Sequence, residues 1–147
     1  MKARPAAAPK PVRVLVVDDN VDAQIITSTV LRHEGFAVTL AGTLAEADAA
    51  ARREPPDIVL LDCRLPDGDG LSLARQWRKD PARSALRVIV LTAFSARQEM
   101  EAALLAGADA FLVKPVPGDV LVRQIERVLA GTRPSATMRS PVARRPG

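Results

Sequence analysis

The 147-residue sequence predicts an α/β domain, a doubly wound five-stranded parallel sheet with helices on both faces. Three observations predict it. Five short apolar runs alternate with five stretches of helical periodicity, which calls for parallel strands joined by crossover helices. Turn or cap residues punctuate the boundaries. Four of the five runs end in polar side chains, where open α/β sheets collect ligands and chemistry.

Val12-Arg13-Val14-Leu15-Val16-Val17 is a β-branched run ending at Asp18-Asp19-Asn20. A helix follows over 21–34, with Asp19 or Asn20 as its cap and Gly35 as its stop. Its apolar side is expected at Ala23, Ile26 and Val30, with Ile25 and Leu31 one step round. Phe36 to Leu40 is the second strand. Thr43 opens a helix over 44–53, and Glu46 three residues on completes a capping box. Asp57-Ile58-Val59-Leu60-Leu61-Asp62 lies between Pro55-Pro56 and Pro66, too short for a helix, and reads as a central strand buried on both faces. After the turn at 63–68, Asp69 or Gly70 starts a helix reaching Lys79, closed by Pro81. Val88 to Thr92 is the fourth strand, and Ser95 caps a helix through Leu105 that Gly107 ends. Ala110 to Val113 is the fifth strand, followed by Lys114-Pro115. Pro117 suits the first position of a last helix carrying Leu121, Val122, Ile125, Val128 and Leu129 before Gly131.

The folded domain is therefore expected over residues 12–131, between a Pro/Ala-rich head (1–11) and a basic tail (132–147), both without regular structure. A hydrophobic content of 48% with 3% aromatics predicts an aliphatic core. All 17 acids lie in residues 12–131 beside 14 of the 21 basic residues, so the excess positive charge sits wholly in the tails. No basic face is expected on the domain, and no direct DNA binding. The single cysteine, Cys63, excludes an internal disulfide and a cysteine-based metal site. Pro5, Pro9 and Pro11 interrupt what could have been a signal peptide, and no apolar run is long enough to span a bilayer, so a cytoplasmic location is expected.

The polar strand ends are Asp18-Asp19, Asp62, Thr92 and Lys114. In the common order 2-1-3-4-5 they belong to four adjacent strands, beside the crevice between strands one and three. From Val12 to Gly131 the chain resembles the receiver domain of two-component response regulators. The matching residues are Asp18-Asp19 after an apolar run, Asp62 followed by Pro66 and Gly70, Thr92-Ala93, and Phe111 ahead of Lys114-Pro115. The resemblance implies a flavodoxin-like fold and a stand-alone phosphoacceptor. Such a protein is no enzyme in its own right, although it promotes its own phosphorylation and dephosphorylation.

The chemistry follows from the side chains as well. Three carboxylates in one crevice repel, so protons or a cation must neutralise them. With no His or Cys ligand at these strand ends, oxygen donors favour Mg²⁺, with Mn²⁺ as a substitute. Asp62, alone at the end of the central strand, is the nucleophile that would form an acyl phosphate. Asp19 is expected to touch the metal directly and Asp18 through water. Lys114 supplies a point charge for a phosphoryl oxygen, Thr92 a hydroxyl for another, and the small Ala93 leaves the approach open. By resemblance, the backbone carbonyl of Arg64 completes the metal ligands, Phe111 is the switch aromatic that follows Thr92 inward, and Lys114-Pro115 is a cis peptide. Arg64 and Phe94 stand two residues after Asp62 and Thr92, where they are expected to control water access and so the lifetime of the phosphoryl group.

An EF-hand built on Asp67-Gly68-Asp69-Gly70 fails, because Arg78 or Leu73 would occupy its twelfth position. His33 reads as a surface cation at a helix end and Trp77 as a half-buried packing residue. The implied partners are a histidine kinase or His-phosphotransfer protein and a downstream protein on the face of the fourth helix, fifth strand and fifth helix. Arg97, Arg123, Glu126 and Arg127 are candidates there. The 16 residues after Gly131 are too few for an output domain, so a monomer or phosphorylation-dependent dimer acting through protein contacts is expected. The alternatives are a phosphorylation-independent scaffold of the same fold and a receiver fragment of a larger hybrid kinase or regulator.

Overall fold

The computed structural model describes residues 10–93 and 97–131. The expectations for the head up to residue 9, for Phe94 and Ser95, and for the tail from 132 lie outside the described residues.

In chain order the elements are β1 (Arg13–Val17), α1 (Val21–His33), β2 (Ala37–Ala41), α2 (Leu44–Arg53), β3 (Ile58–Asp62), β4 (Arg64–Leu65), β5 (Gly68–Asp69), α3 (Gly70–Lys79), β6 (Arg87–Thr92), α4 (Arg97–Leu105), β7 (Ala110–Val113) and α5 (Gly118–Ala130). The main sheet runs β2-β1-β3-β6-β7, every neighbouring pair parallel. With β6 and β7 as its fourth and fifth strands, this is the expected 2-1-3-4-5 order.

Alternation along the strands divides the core in two, because successive side chains point to opposite faces. Leu15, Val17, Val59, Leu61, Val88 and Val90 pack with the residues of α2, α3 and α4. Val14, Val16, Ile58, Leu60, Ile89 and Leu91 pack with those of α1 and α5. The central strands are buried on both faces, as their unbroken apolar runs require.

Several local expectations are corrected. The inward side of α1 carries Ser28 and Leu31, while Ile25 and Ile26 are 54% and 65% exposed. Gln24 sets the helix's rotation by bonding inward to backbone, and at 3.6 residues per turn Ser28 and Leu31 share its side while Ile26 faces away. Glu46 reaches back to the Gly42 N–H at 2.7 Å, one residue short of the Thr43 N–H that a capping box uses, while Thr43 Oγ1 accepts from the Glu46 N–H. Pro117 is the N-cap of α5, and the helix begins at Gly118. Trp77 is 1% exposed rather than half-buried, because Asp48 on α2 accepts its indole N–H at 3.0 Å and removes the penalty of burying it. The turn after Asp62 contains the two-residue antiparallel ladder of β4 and β5, which had no counterpart among the expected elements.

Candidate functional site

Register brings the polar strand ends together. Val17 pairs with Leu61, Asp62 with Leu91, and Thr92 with Val113, so Asp18, Asp62, Thr92 and Lys114 all fall at one edge of the sheet. The two strand-one acids sit where β1 passes into α1, whose N-cap Asn20 accepts from the Ala23 N–H.

Carboxylate oxygens of Asp18, Asp19 and Asp62 lie within 4.8 Å of one another. The three differ in environment, since Asp18 is buried, Asp62 half-buried and Asp19 exposed. Lys114 binds two of them, its Nζ lying 2.6 Å from Asp18 Oδ2 and 3.2 Å from Asp62 Oδ2. Asp18 Oδ1 accepts from the Asn20 N–H at 2.9 Å, so both Asp18 oxygens are engaged. Asp19 accepts no hydrogen bond from the described residues, which leaves it open to a ligand from solvent. Three oxygen donors within reach of one another, one of them open, suit a hard divalent cation that keeps several waters.

Burial pushes the Asp62 carboxyl above its ordinary range and Asp18 adds to this, against the opposing pull of Lys114 and the Arg64 N–H. Burial works against the Lys114 charge, but Asp18 and Asp62 outweigh it and hold the ammonium above its usual value. The lysine stays charged, and its charge is what lets the carboxylates sit together.

Thr92 is buried at 1% exposure, and its hydroxyl shares a hydrogen bond with the thiol of Cys63. Burial, with Glu99, Asp69 and Asp62 nearby, raises that thiol to about 11. Ala93 is exposed beside Thr92. Phe111 pairs in register with Val90 and is partly buried against the core under α2, α3 and α4. The Lys114-Pro115 peptide is cis. The Arg64 guanidinium lies 3.5 Å from Glu99 on α4, across a cavity of about 460 Å³ lined also by Cys63, Leu65, Pro66, Gly68 and Asp69. The backbone N–H of Arg64 donates to Asp62 Oδ1 at 3.3 Å.

Three residues of the site's surroundings had no signal in the sequence. Asp67 accepts from the N–H groups of Leu44 and Ala45, tying the turn after Asp62 to the start of α2. Glu99 partners Arg64. Gln24 donates to the carbonyls of Asp18 and Ala41. Each contact joins segments that are far apart in sequence or is polar where an apolar face was expected, so periodicity could not find it.

A doubly wound parallel sheet with paired acids, a third carboxylate and a lysine at one mouth defines an α/β phosphoryl-accepting class. The family model for the response regulator receiver domain matches residues 14–126, and the chain belongs to that family, the phosphoacceptor domain of two-component systems. It is 34% identical to PilH of Pseudomonas aeruginosa, over 81% of this chain and 98% of that protein. To the transcriptional regulatory protein TcrX of Mycobacterium tuberculosis it is 40% identical over 84% of this chain, which spans about half of TcrX (52%). Among solved structures, a response regulator from Chloroflexus aurantiacus matches with a TM-score of 0.80 at 32% identity, covering 83% of this chain and all of that one (100%). A CheY-like receiver domain protein from Methanospirillum hungatei matches with a TM-score of 0.77 at 32% identity, covering 82% and 94%.

Proposed function

We propose that this receiver domain takes a phosphoryl group onto Asp62 from a phosphohistidine on a histidine kinase or His-phosphotransfer protein. The observation that carries the reading is the Lys114 ammonium lodged between Asp18 and Asp62. Asp62 Oδ attacks phosphorus, the P–N bond to the donor imidazole breaks, and the imidazole nitrogen keeps the electron pair. An acyl phosphate is left on Asp62. Lys114 is positioned to pass from the carboxylate to a phosphoryl oxygen, and the Thr92 hydroxyl to donate to another. Asp19, Asp62 and the Arg64 carbonyl would hold Mg²⁺, with Asp18 acting through water. Bound there, Mg²⁺ would neutralise the crowded carboxylates and the equatorial phosphoryl oxygens. The domain thereby promotes its own phosphorylation. Arg64, Ala93 and Phe94 govern how water reaches the acyl phosphate, and so its lifetime.

The output reading is a switch in which Thr92 moves toward the phosphoryl group and Phe111 fills the space behind it. The face of α4, β7 and α5 would present the result to a protein partner or to a second copy. Met100, Leu105 and Val113 are exposed there at 40%, 88% and 40%. Arg97, Arg123, Glu126 and Arg127 are exposed on the same helices. Residues 12–131 form the working unit in this reading, between the two tails. No described helix is long and apolar enough to cross a membrane, and the proposed place of work is the cytoplasm.

Incubation with acetyl phosphate and Mg²⁺ followed by intact-mass measurement tests the proposal. One added phosphoryl group is expected, absent with a chelator and absent in Asp62→Ala. A chain whose mass never changes would act through phosphorylation-independent binding instead.

A further inference from the structure

We infer that Gln24 is a positioning residue for the metal-binding acids, its side-chain amide holding the Asp18-Asp19 peptide in place. The inference rests on the reading of the acid cluster as a Mg²⁺ site. Every polar group of Asp18 is committed. Its N–H donates to the Ala41 carbonyl at 3.0 Å. Its carboxylate takes the Asn20 N–H and Lys114. Its carbonyl, which belongs to the peptide leading into Asp19, accepts from Gln24 Nε2 at 2.6 Å.

The same Nε2 lies 3.4 Å from the Ala41 carbonyl at the end of β2. One amide thus ties α1 to the ends of two adjacent strands, at the peptide that leads into Asp19. Gln24 achieves this at a structural cost, since its inward turn leaves Ile25 and Ile26 in solvent. An apolar residue at position 24 would leave the Asp18 carbonyl without this donor, and the Asp18-Asp19 peptide less firmly oriented. Partners that orient metal ligands in this way typically change metal affinity about 10- to 100-fold when removed. Because Gln24 acts on backbone rather than on a ligand atom, the low end applies.

The test is calorimetric titration of the whole chain with Mg²⁺ in wild type, Gln24→Met and the exposed control Ile25→Met. Gln24→Ala serves as a second variant should the Met form misfold, and a thermal melt in chelator confirms that each is folded. The expected result is Mg²⁺ affinity reduced about tenfold in the Gln24 variants and unchanged in Ile25→Met. In acetyl phosphate labelling the half-saturating Mg²⁺ concentration should rise by the same factor, with the rate at saturating Mg²⁺ preserved. Wild-type affinity in folded Gln24 variants overturns the inference alone. A wild type that binds no Mg²⁺ overturns the metal reading and the inference with it.

Discussion

Gly70 opens α3 against the backbone of Asp62, the proposed phosphoacceptor, and replacing it by alanine tests how tightly that turn is packed on Asp62. A Cβ at Gly70 would stand 2.2 Å from the Asp62 carbonyl oxygen and 3.3 Å from Leu61 Cγ, against the 3.0 Å that Cβ atoms keep from other heavy atoms. The obstacle is backbone in the central strand, and the Gly70 N–H is held to the Cys63 carbonyl at 2.7 Å, so neither side yields by a rotamer change. Overpacking costs about 1–3 kcal/mol, and a clash between fixed backbones belongs at about 3. For a domain of this size that is a fall in melting temperature of about 10 °C. Gly42→Ala is the matched control, since its new Cβ would meet nothing closer than 3.6 Å. Thermal melts of both variants, with acetyl phosphate labelling of the folded fraction, are the assay. Gly70→Ala should be strongly destabilised and slow to phosphorylate, because relief of the clash displaces Asp62. A melt within a degree or two of Gly42→Ala would refute the packing account.

Lys114→Met should slow phosphorylation about a hundredfold at saturating Mg²⁺, as loss of a preorganised charge on developing anionic oxygens does; an unchanged rate would remove Lys114 from the chemistry. Asp62→Asn and Asp67→Ala should change stability in opposite senses in metal-free protein. The Asp62 carboxyl is raised above 3.8 in the fold, so its ionised form opposes folding, and Asp62→Asn should gain stability at neutral pH, a gain that vanishes below the carboxylate range. The Asp67 carboxyl is lowered, first by the Leu44 N–H, so its stabilisation is present above 3.8 and lost as pH falls through the folded value. Asp67→Ala should therefore be less stable at neutral pH and equal to wild type in acid, and urea titrations across pH would expose either sign if reversed. Arg64→Asn should shorten the acyl phosphate lifetime severalfold while shifting stability by less than about 1 kcal/mol, the ceiling for a surface pair such as Arg64–Glu99, whose arginine is exposed and glutamate half-buried. A hydrolysis rate equal to wild type would show that Arg64 does not screen the phosphoryl group.

The five strands and the polar residues Asp18, Asp62, Thr92 and Lys114 that end four of them were legible because both depend on local signals. The strand order that makes them converge came instead from the common order of such sheets and from the family resemblance. The cap at Thr43 was legible from local signals too, and those at Asn20 and Asp69 to within one residue. What failed was long-range. Val30 and Leu31 pack on the core as the apolar spacing requires, but the exposure of Ile25 and Ile26 could not be read from that spacing, because Gln24 turns inward to the ends of β1 and β2. Trp77 buries completely only because Asp48, 29 residues away, meets its indole. Asp67 resembles a turn residue until the start of α2, 23 residues earlier, is folded against it. The β4–β5 ladder has two residues a side, too few for any period to register.

Borohydride reduction of the phosphorylated protein, followed by tandem mass spectrometry of its peptides, bears most directly on which carboxylate reacts, since reduction converts an aspartyl phosphate to homoserine. Homoserine in place of Asp62, and at no other acid, is the predicted result. Homoserine at position 18 or 19, or phosphate retained on a serine or threonine, would contradict it.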